Sequence, residues 1–461
     1  MLSHISLIPG AFIYVNAMKK SIYYLNEKIS DDIFLYFSSM SNSFLLINKD
    51  THTLFEKCNN ENLTSLPPKI FKALKENMFI VSKDCNEIDM AMKRRKVFEN
   101  NQDVYNIIIN PTLDCNLSCW YCYENHIKDS KISHEIINAI KQNIKYEYST
   151  NPFNVLKISF FGGEPFLYFK AIQNILNFAD EFCKDHNLEL IADFTTNATL
   201  LTKDIIIYLK QFRSHFQITL DGNEEHHNKI KVDNTNPQNT YRRSIESLRL
   251  IYKYIPNHYI AVRINFDNQT LRGIDSILND IDFLDRRSSY IILKKVWQLK
   301  VKDMDKEALI GAIQKVFERN FLPDYYVMPK GCVCFAERRR QALINYDGGV
   351  FKCTTISSFD THNSLGQLNT TTGKITWDGN KIHDWFVDMQ PDYCKECKWF
   401  PICLGCCNRQ LMAHKGEHIC TFDAFNLTQK EYLLYLYRYN LLYHNLYLAT
   451  NVEPNKEEHL I

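Results

Sequence analysis

The spacing of apolar positions changes part-way along the chain. Through the first hundred residues they come in short runs. Residues 43–48 and 53–57 predict two strands around a turn at Lys49-Asp50. After Pro67-Pro68, Ile70, Phe71 and Leu74 share one face of a predicted helix over 69–76, and 78–81 predict a further strand. Short strands around one helix suggest a winged-helix-like module over residues 1–95. The basic run Lys93-Arg94-Arg95-Lys96 after it reads as a solvated connector rather than a nucleic-acid contact.

From Tyr105 onward strand and helix patterns alternate. Strands are predicted at 106–110, 155–161, 188–195, 216–220, 259–266 and 290–298. Helices are predicted near 133–147, 167–185, 203–212, 243–254, 274–284 and 305–319. Six βα units in succession make this an α/β chain. Its parallel sheet is open or curled into a partial (β/α)6 TIM-like barrel over residues 100–320. Such folds place their chemistry at the C-terminal ends of the strands. Polar residues and glycines collect there, at 115–122, 162–164, 195–197, 221–222, Asn265 and Gln298. A cysteine-dense segment follows over 321–425. The final stretch, 426–461, holds a Tyr/Leu-rich helical run over 432–448 that reads as core.

Charge narrows the function classes. Lys plus Arg number 54 and Asp plus Glu 53, a net charge of +1, so no global grip on nucleic acid or an anionic membrane is expected. No apolar run reaches the roughly 18 residues of a spanning helix. The first twenty residues lack a basic n-region and are interrupted by Pro9-Gly10, so no signal peptide is read and a cytoplasmic location is expected. Reduced thiols then favour metal ligation over disulfides. Of 15 cysteines, three fall at 115–122 and nine between Cys332 and Cys420. Cys58, Cys85 and Cys183 fit no spacing and read as buried hydrophobes.

Cys115-x3-Cys119-x2-Cys122 directly after a strand can hold three irons of a 4Fe–4S cube and leave the fourth open. Structural zinc, with His126 as fourth ligand, is the alternative. Trp120 and Tyr121 add aromatic surface. At these residues the chain resembles the radical S-adenosylmethionine superfamily, with an aromatic before the last cysteine of CxxxCxxC. The second strand ends in Gly162-Gly163-Glu164-Pro165, which is similar to the family's GGEP motif. There the missing Cβ atoms let backbone approach the methionine part of the cofactor, and polar groups receive its amino end. Thr195, Thr196 and Asn197 match the family's third strand end, Asp221-Gly222 its fourth, and Arg263-Ile264-Asn265 its fifth. The resemblance makes these cofactor or substrate contacts. A turn role for Asp221 and an internal salt bridge for Arg263 are equally open.

The later cysteines look like the SPASM extension of that superfamily, which carries two auxiliary 4Fe–4S clusters. By resemblance, Cys394, Cys397, Cys403 and Cys420 hold the outer cluster, and Cys334, Cys353 and Cys407 the inner one. Cys332 is the nearby candidate for the inner fourth ligand, with the cluster otherwise open to substrate, and Cys406 competes with Cys407. Read without that company, the segment fits a two-zinc ribbon.

The resemblance implies a maturase of a ribosomally made peptide (RiPP). It abstracts a hydrogen by means of S-adenosylmethionine and installs a thioether or carbon–carbon cross-link. The N-terminal module would bind the leader of the precursor peptide, and a flavodoxin or ferredoxin would donate electrons. Stretches 296–298 and 334–348 are most similar to maturases encoded beside an ATP-grasp ligase. A formylglycine-forming sulfatase maturase and a peptide epimerase are the enzymatic alternatives. Cys353 is followed by Thr354-Thr355, not the aspartate the sulfatase family implies. A zinc-binding interaction protein is the alternative outside enzymes.

Overall fold

The computed structural model describes residues 17–448, apart from 234–235, 237–238, 326–332, 357, 421 and 423–426. Two compact units result. The first comprises residues 1–94 with 391–404, the second 95–390 with 405–461.

In the first unit, Tyr24–Lys28, Ile33–Ser38 and Ser43–Asn48 form an antiparallel three-stranded meander. Met18–Lys20 pairs with Ile80–Ser82. One face of the meander packs Tyr36 with Phe55, Leu63, Leu74 and Phe79. The strand expected at 53–57 is instead the end of a helix, Lys49–Lys57, because the Asn48 side chain accepts from Thr51 N–H and caps it. That start turns Phe55 into the core. The helix over Pro68–Glu76 forms as its apolar face requires. A second core joins Tyr23, Met40 and Ala91 to Cys394 and Phe400. Ser39 Oγ donates to Lys398 O at 2.5 Å, Arg94 to Pro401 O at 3.1 Å, and Phe37 packs 5.8 Å from Trp399. Residues 391–404 are thus part of this module's interior.

The basic run is no solvated connector. It lies within a helix, Glu87–Glu99. Arg95 is buried and ion-paired at 2.8 Å with both Glu99 and Glu337. A guanidinium that donates to two carboxylates can be buried, and periodicity alone does not reveal its partners.

The second unit is built on a parallel sheet. Among the described residues its strands run in spatial order Leu322–Tyr325, Ser289–Lys295, His258–Phe266, Arg213–Thr219, Glu189–Thr196, Val155–Phe160, Val104–Ile109 and Gln341–Ile344. The six expected strands are all present. A seventh, Leu322–Tyr325, follows the helix Lys306–Glu318, and its Leu-Pro-Asp sequence conceals it because proline suits only a sheet edge. Three antiparallel strands, Gly349–Phe351, Gly366–Leu368 and Ile375–Trp377, extend the same sheet past residue 340. The return helices start on capping side chains: Ser133, Thr202, Asn239 and Asp305 each accept from an N–H three residues on. Their apolar faces cover the sheet, as Ile136, Ile140 and Ile144 do on His134–Thr150. The late Tyr/Leu run forms the helix Gln429–Tyr443, with Tyr432, Leu433, Tyr435 and Leu436 buried. No helix among the described residues is long and apolar enough to cross a membrane.

The strands also carry inward polar groups. Ser159, Asp193 and His215 face one another on adjacent strands. Lys157 pairs with Asp193 at 2.9 Å. Burial holds His215 down to about 4, and its Nδ1 has no hydrogen-bond partner. Below pH 6.5 the unfolded chain takes up a proton that the folded protein resists. Stability is therefore full above that pH and falls as pH drops toward 4, by about 3 kcal/mol at ~1.36 kcal/mol per pH unit. The His215→Gln protein should lose much of this acid sensitivity, read from urea melts at pH 7 and pH 4.5. An equal loss in both proteins would refute it.

Candidate radical-generating site

The strand Val104–Ile109 is buried along most of its length and delivers the chain to the cysteine loop. The loop is held from below. Thr112 Oγ1 donates to Ser130 O at 2.6 Å, Ser130 Oγ accepts from Leu113 N–H at 2.9 Å, and Asp114 accepts from the N–H of Cys115 and of Asp129. Leu117–Cys119 then pairs as a short antiparallel strand with Lys231–Asp233.

The two glycines explain how the loop is clamped. A Cβ on Gly162 would lie 2.2 Å from Thr112 O, and one on Gly163 2.1 Å from Asp114 O. Gly162 also has φ +108°. The space freed by the missing side chains is thus filled by the cysteine loop's own carbonyls, which accept from Gly163 and Glu164 N–H at 3.2 and 2.9 Å. In the sequence that space reads as room for the cofactor.

Glu164 is fully buried and accepts from Phe166 N–H, Asn197 N–H and the Thr196 hydroxyl, all within 3.1 Å. Burial still pushes its carboxyl up to about 7, against those donors. Asn197 reaches the loop, with Nδ2 3.0 Å from Asn116 Oδ1 and 3.9 Å from Cys115 Sγ. Asp221 Oδ2 accepts from the Tyr121 hydroxyl and Oδ1 from Asn265 N–H, while Asn265 Nδ2 donates to Tyr121 at 3.1 Å. Arg263 Nε donates to Asn265 Oδ1 at 2.9 Å. Tyr121, Asp221, Arg263 and Asn265 therefore form one network beside the loop, and Gly162, Gly163, Glu164, Thr196 and Asn197 a second. Thr195 lies on the same strand as Thr196.

Each thiol of the loop has a polar neighbour. Cys115 Sγ accepts from Leu117 N–H at 3.5 Å, Cys119 lies 4.0 Å from Lys231 Nζ, and Cys122 lies 3.5 Å from His126 Nε2. Burial raises all three thiols. Ligation must therefore displace protons, as iron does when it binds thiolates. Donors aimed at the sulfurs suit the anionic ligands of an iron–sulfur cube. Among the described residues no three His, Cys, Asp or Glu side chains converge on one ion.

In the same unit Cys334, Cys353 and Cys407 lie near one another. Burial first, and then the neighbouring thiols Cys407 and Cys353, raise Cys334, while Cys353 also raises Cys407. Cys406 is buried, with Sγ 3.6 Å from Ile419 O. Cys394, Cys397 and Cys403 belong to the first unit and half-buried Cys420 to the second. Cys332 lies outside the described residues. Cys58 and Cys183 are buried and Cys85 half-buried.

Residues 109–281 match the Radical SAM superfamily. That stretch is similar to a radical SAM domain. That family brings a 4Fe–4S cluster and S-adenosylmethionine, and the three-thiol loop with its donors fits the cluster. The chain is 22% identical over 335 residues to the cysteine-type anaerobic sulfatase-maturating enzyme of Clostridium novyi (strain NT), covering 66% of this chain and 87% of that one. It is 23% identical over 434 residues to the radical SAM cyclopropyl synthase TigE of Paramaledivibacter caminithermalis, covering 86% and 88%. The solved structure of native anSMEcpe with bound AdoMet and the Cp18Cys peptide superposes with a TM-score of 0.57 at 18% identity, covering 74% of this chain and all but 1% of that one (99%). The matched residues 109–281 span the parallel strands from Val155–Phe160 to His258–Phe266.

Sequence reasoning missed several residues of this site. Lys231 and Asp233 carry no motif, and they meet the loop through the pairing of 231–233 with 117–119, where Asn116 of the loop donates to Asp233 at 3.3 Å. Burial pushes Glu124, two residues past Cys122, up to about 8, and its Oε1 has no hydrogen-bond partner among the described residues.

Proposed function

We propose that the protein is a radical SAM maturase of a ribosomally made precursor peptide and that it installs a thioether or carbon–carbon cross-link. When bound at Cys115, Cys119 and Cys122, the cluster and S-adenosylmethionine supply one-electron cleavage and hydrogen abstraction. This chain's own residues do the rest. Thr112, Asp114 and Ser130 fix the loop, and Asn197 and Lys231 direct donors at its sulfurs. Tyr121, Asp221, Arg263 and Asn265 line the adjoining face, where a peptide side chain must be held in near-contact geometry.

The observation that carries the reading is the second group of thiols, Cys334, Cys353 and Cys407, within the unit that holds the loop. A cross-link is a two-electron oxidation, and after the first hydrogen leaves, the second electron needs an acceptor. Those residues, with Cys332 or substrate as fourth ligand, could hold one. Cys394, Cys397 and Cys403 would serve another. A flavodoxin or ferredoxin would supply the reducing electron, and an ATP-grasp ligase would act on the same peptide. The module of residues 1–95 offers edge strands to an extended leader.

The relatives named for sulfatase maturation favour a second reading, formylglycine formation. Mass spectrometry of a short peptide encoded beside this protein and co-expressed with it decides between them. Loss of two hydrogens with sulfur retained and no aldehyde formed marks a cross-link, conversion of a Cys or Ser side chain to an aldehyde marks formylglycine, and an unchanged mass with altered chirality marks epimerisation. Only the first outcome supports the proposal.

A further inference from the structure

A buried positive charge stands against the cysteine loop. The strand Lys231–Asp233 sets Lys231 directly opposite Cys119. Lys231 is 5% exposed, and its Nζ lies 4.0 Å from Cys119 Sγ. Asp221 Oδ2 holds the ammonium at 3.5 Å, and the Tyr121 ring centre lies 5.9 Å away. The backbone is pinned as well: Thr240 Oγ1 donates to Lys231 O at 2.9 Å, and Arg243 pairs with Asp233 at 2.9 Å. The lysine side chain is 6% exposed and Asp221 is fully buried. Burying a lysine is costly even when it is paired, and a residue needed only to close the strand could face outward, as Val232 does at 41% exposure.

We infer that Lys231 is a positioning residue for the radical-generating cluster. It is a fixed cation against the Cys119 sulfur that favours the reduced state and raises the reduction potential. The inference rests on Cys115, Cys119 and Cys122 being the cluster's ligands. Reduction adds one negative charge to the cluster. A cation this close, screened by protein rather than water, stabilises that charge more strongly than a surface lysine would. Cluster potentials respond to net charge, to donors on the sulfurs and to solvent exposure, and Lys231 bears on all three. Asp221 moderates the effect, because it places an opposite charge beyond the ammonium.

A redox titration of the anaerobic holoenzyme, followed by electron paramagnetic resonance, tests this. The signal to follow is the one missing from a protein with Cys115, Cys119 and Cys122 all replaced by Ala. In Lys231→Gln the ratio of reduced to oxidised cluster at a given potential should fall at least tenfold, about 59 mV toward the negative for a one-electron couple. Lys231→Arg should restore the wild-type value. Asp221→Asn keeps the lysine and removes its counter-charge, so it should shift the potential the other way. A residue that merely braced the strand would alter melting without producing opposite shifts. A wild-type potential in Lys231→Gln overturns the inference. Should Lys231→Gln take up no iron, Asp221→Asn decides, and a potential that does not rise overturns it. If the wild type and the triple variant give the same signals, the assignment of the three cysteines fails instead.

Discussion

A protein in which Cys115, Cys119 and Cys122 are all alanine is expected to cleave no S-adenosylmethionine, because the three proposed ligands of the cluster with an open iron are gone. The effect is total rather than graded. The loop's other anchors, Thr112, Asp114 and Ser130, act on backbone and on one another and touch no cysteine sulfur. The loop should therefore keep its shape, and the glycine clamp at 162–163 should still close on it. Loss of activity then reflects loss of ligands rather than loss of fold. With three cubes in the wild type, iron should fall by about a third and melting should change little. Normal cleavage by the triple variant would remove the radical reading altogether. A collapse of all iron would show instead that the loop supports the rest of the second unit.

What the sequence revealed and what it hid divide along one physical line. The cysteine loop and the Gly162–Glu164 turn are local. Their chemistry is written in spacing, and the strand periods on either side place them at the sheet's C-terminal edge. Lys231 is not local. Its contact with Cys119 closes across 112 residues through one short antiparallel pairing, and in the sequence it sits between Ile230 and Val232 with no motif around it. Arg95 was hidden in the same way: a basic run on a helix predicts solvent unless its carboxylate partners are known, and Glu337 is distant in sequence. Residues 53–57 misled for another reason. Their Thr and Phe favour a strand, but the Asn48 cap commits the chain to a helix first. The role of Gly162 and Gly163 was visible as a need for space, while the occupant of that space, the loop's own carbonyls, required the fold.

Deleting residues 1–90 should remove more than leader binding. The deleted stretch contributes Tyr23, Phe37 and Met40, which pack against Cys394, Trp399 and Phe400 or share their core, and Ser39, which donates to Lys398 O. Without them the helical turns that carry Cys394, Cys397 and Cys403 lose their apolar cover. Burying one large side chain contributes roughly 1.5–3 kcal/mol, so losing several exceeds what a short, loop-rich segment can spare. Metal binding there is itself folding energy. The truncated protein should lose the iron held on those three thiols and should not turn over the full-length peptide. It should retain slow cleavage of S-adenosylmethionine, because Cys115, Cys119 and Cys122 sit in the other unit. A single substitution separates the two roles. Leu46 is 52% exposed on the edge strand Ser43–Asn48, outside both cores of the module. Leu46→Asp should keep its iron and its melting temperature yet bind the full-length peptide at least tenfold more weakly, a cost of about 1.4 kcal/mol. Iron analysis, calorimetry and peptide titration read the three quantities independently. A truncated protein with full iron would show that the segment holds its shape without the module. A Leu46→Asp protein that binds peptide as the wild type does would exclude this edge as the docking site.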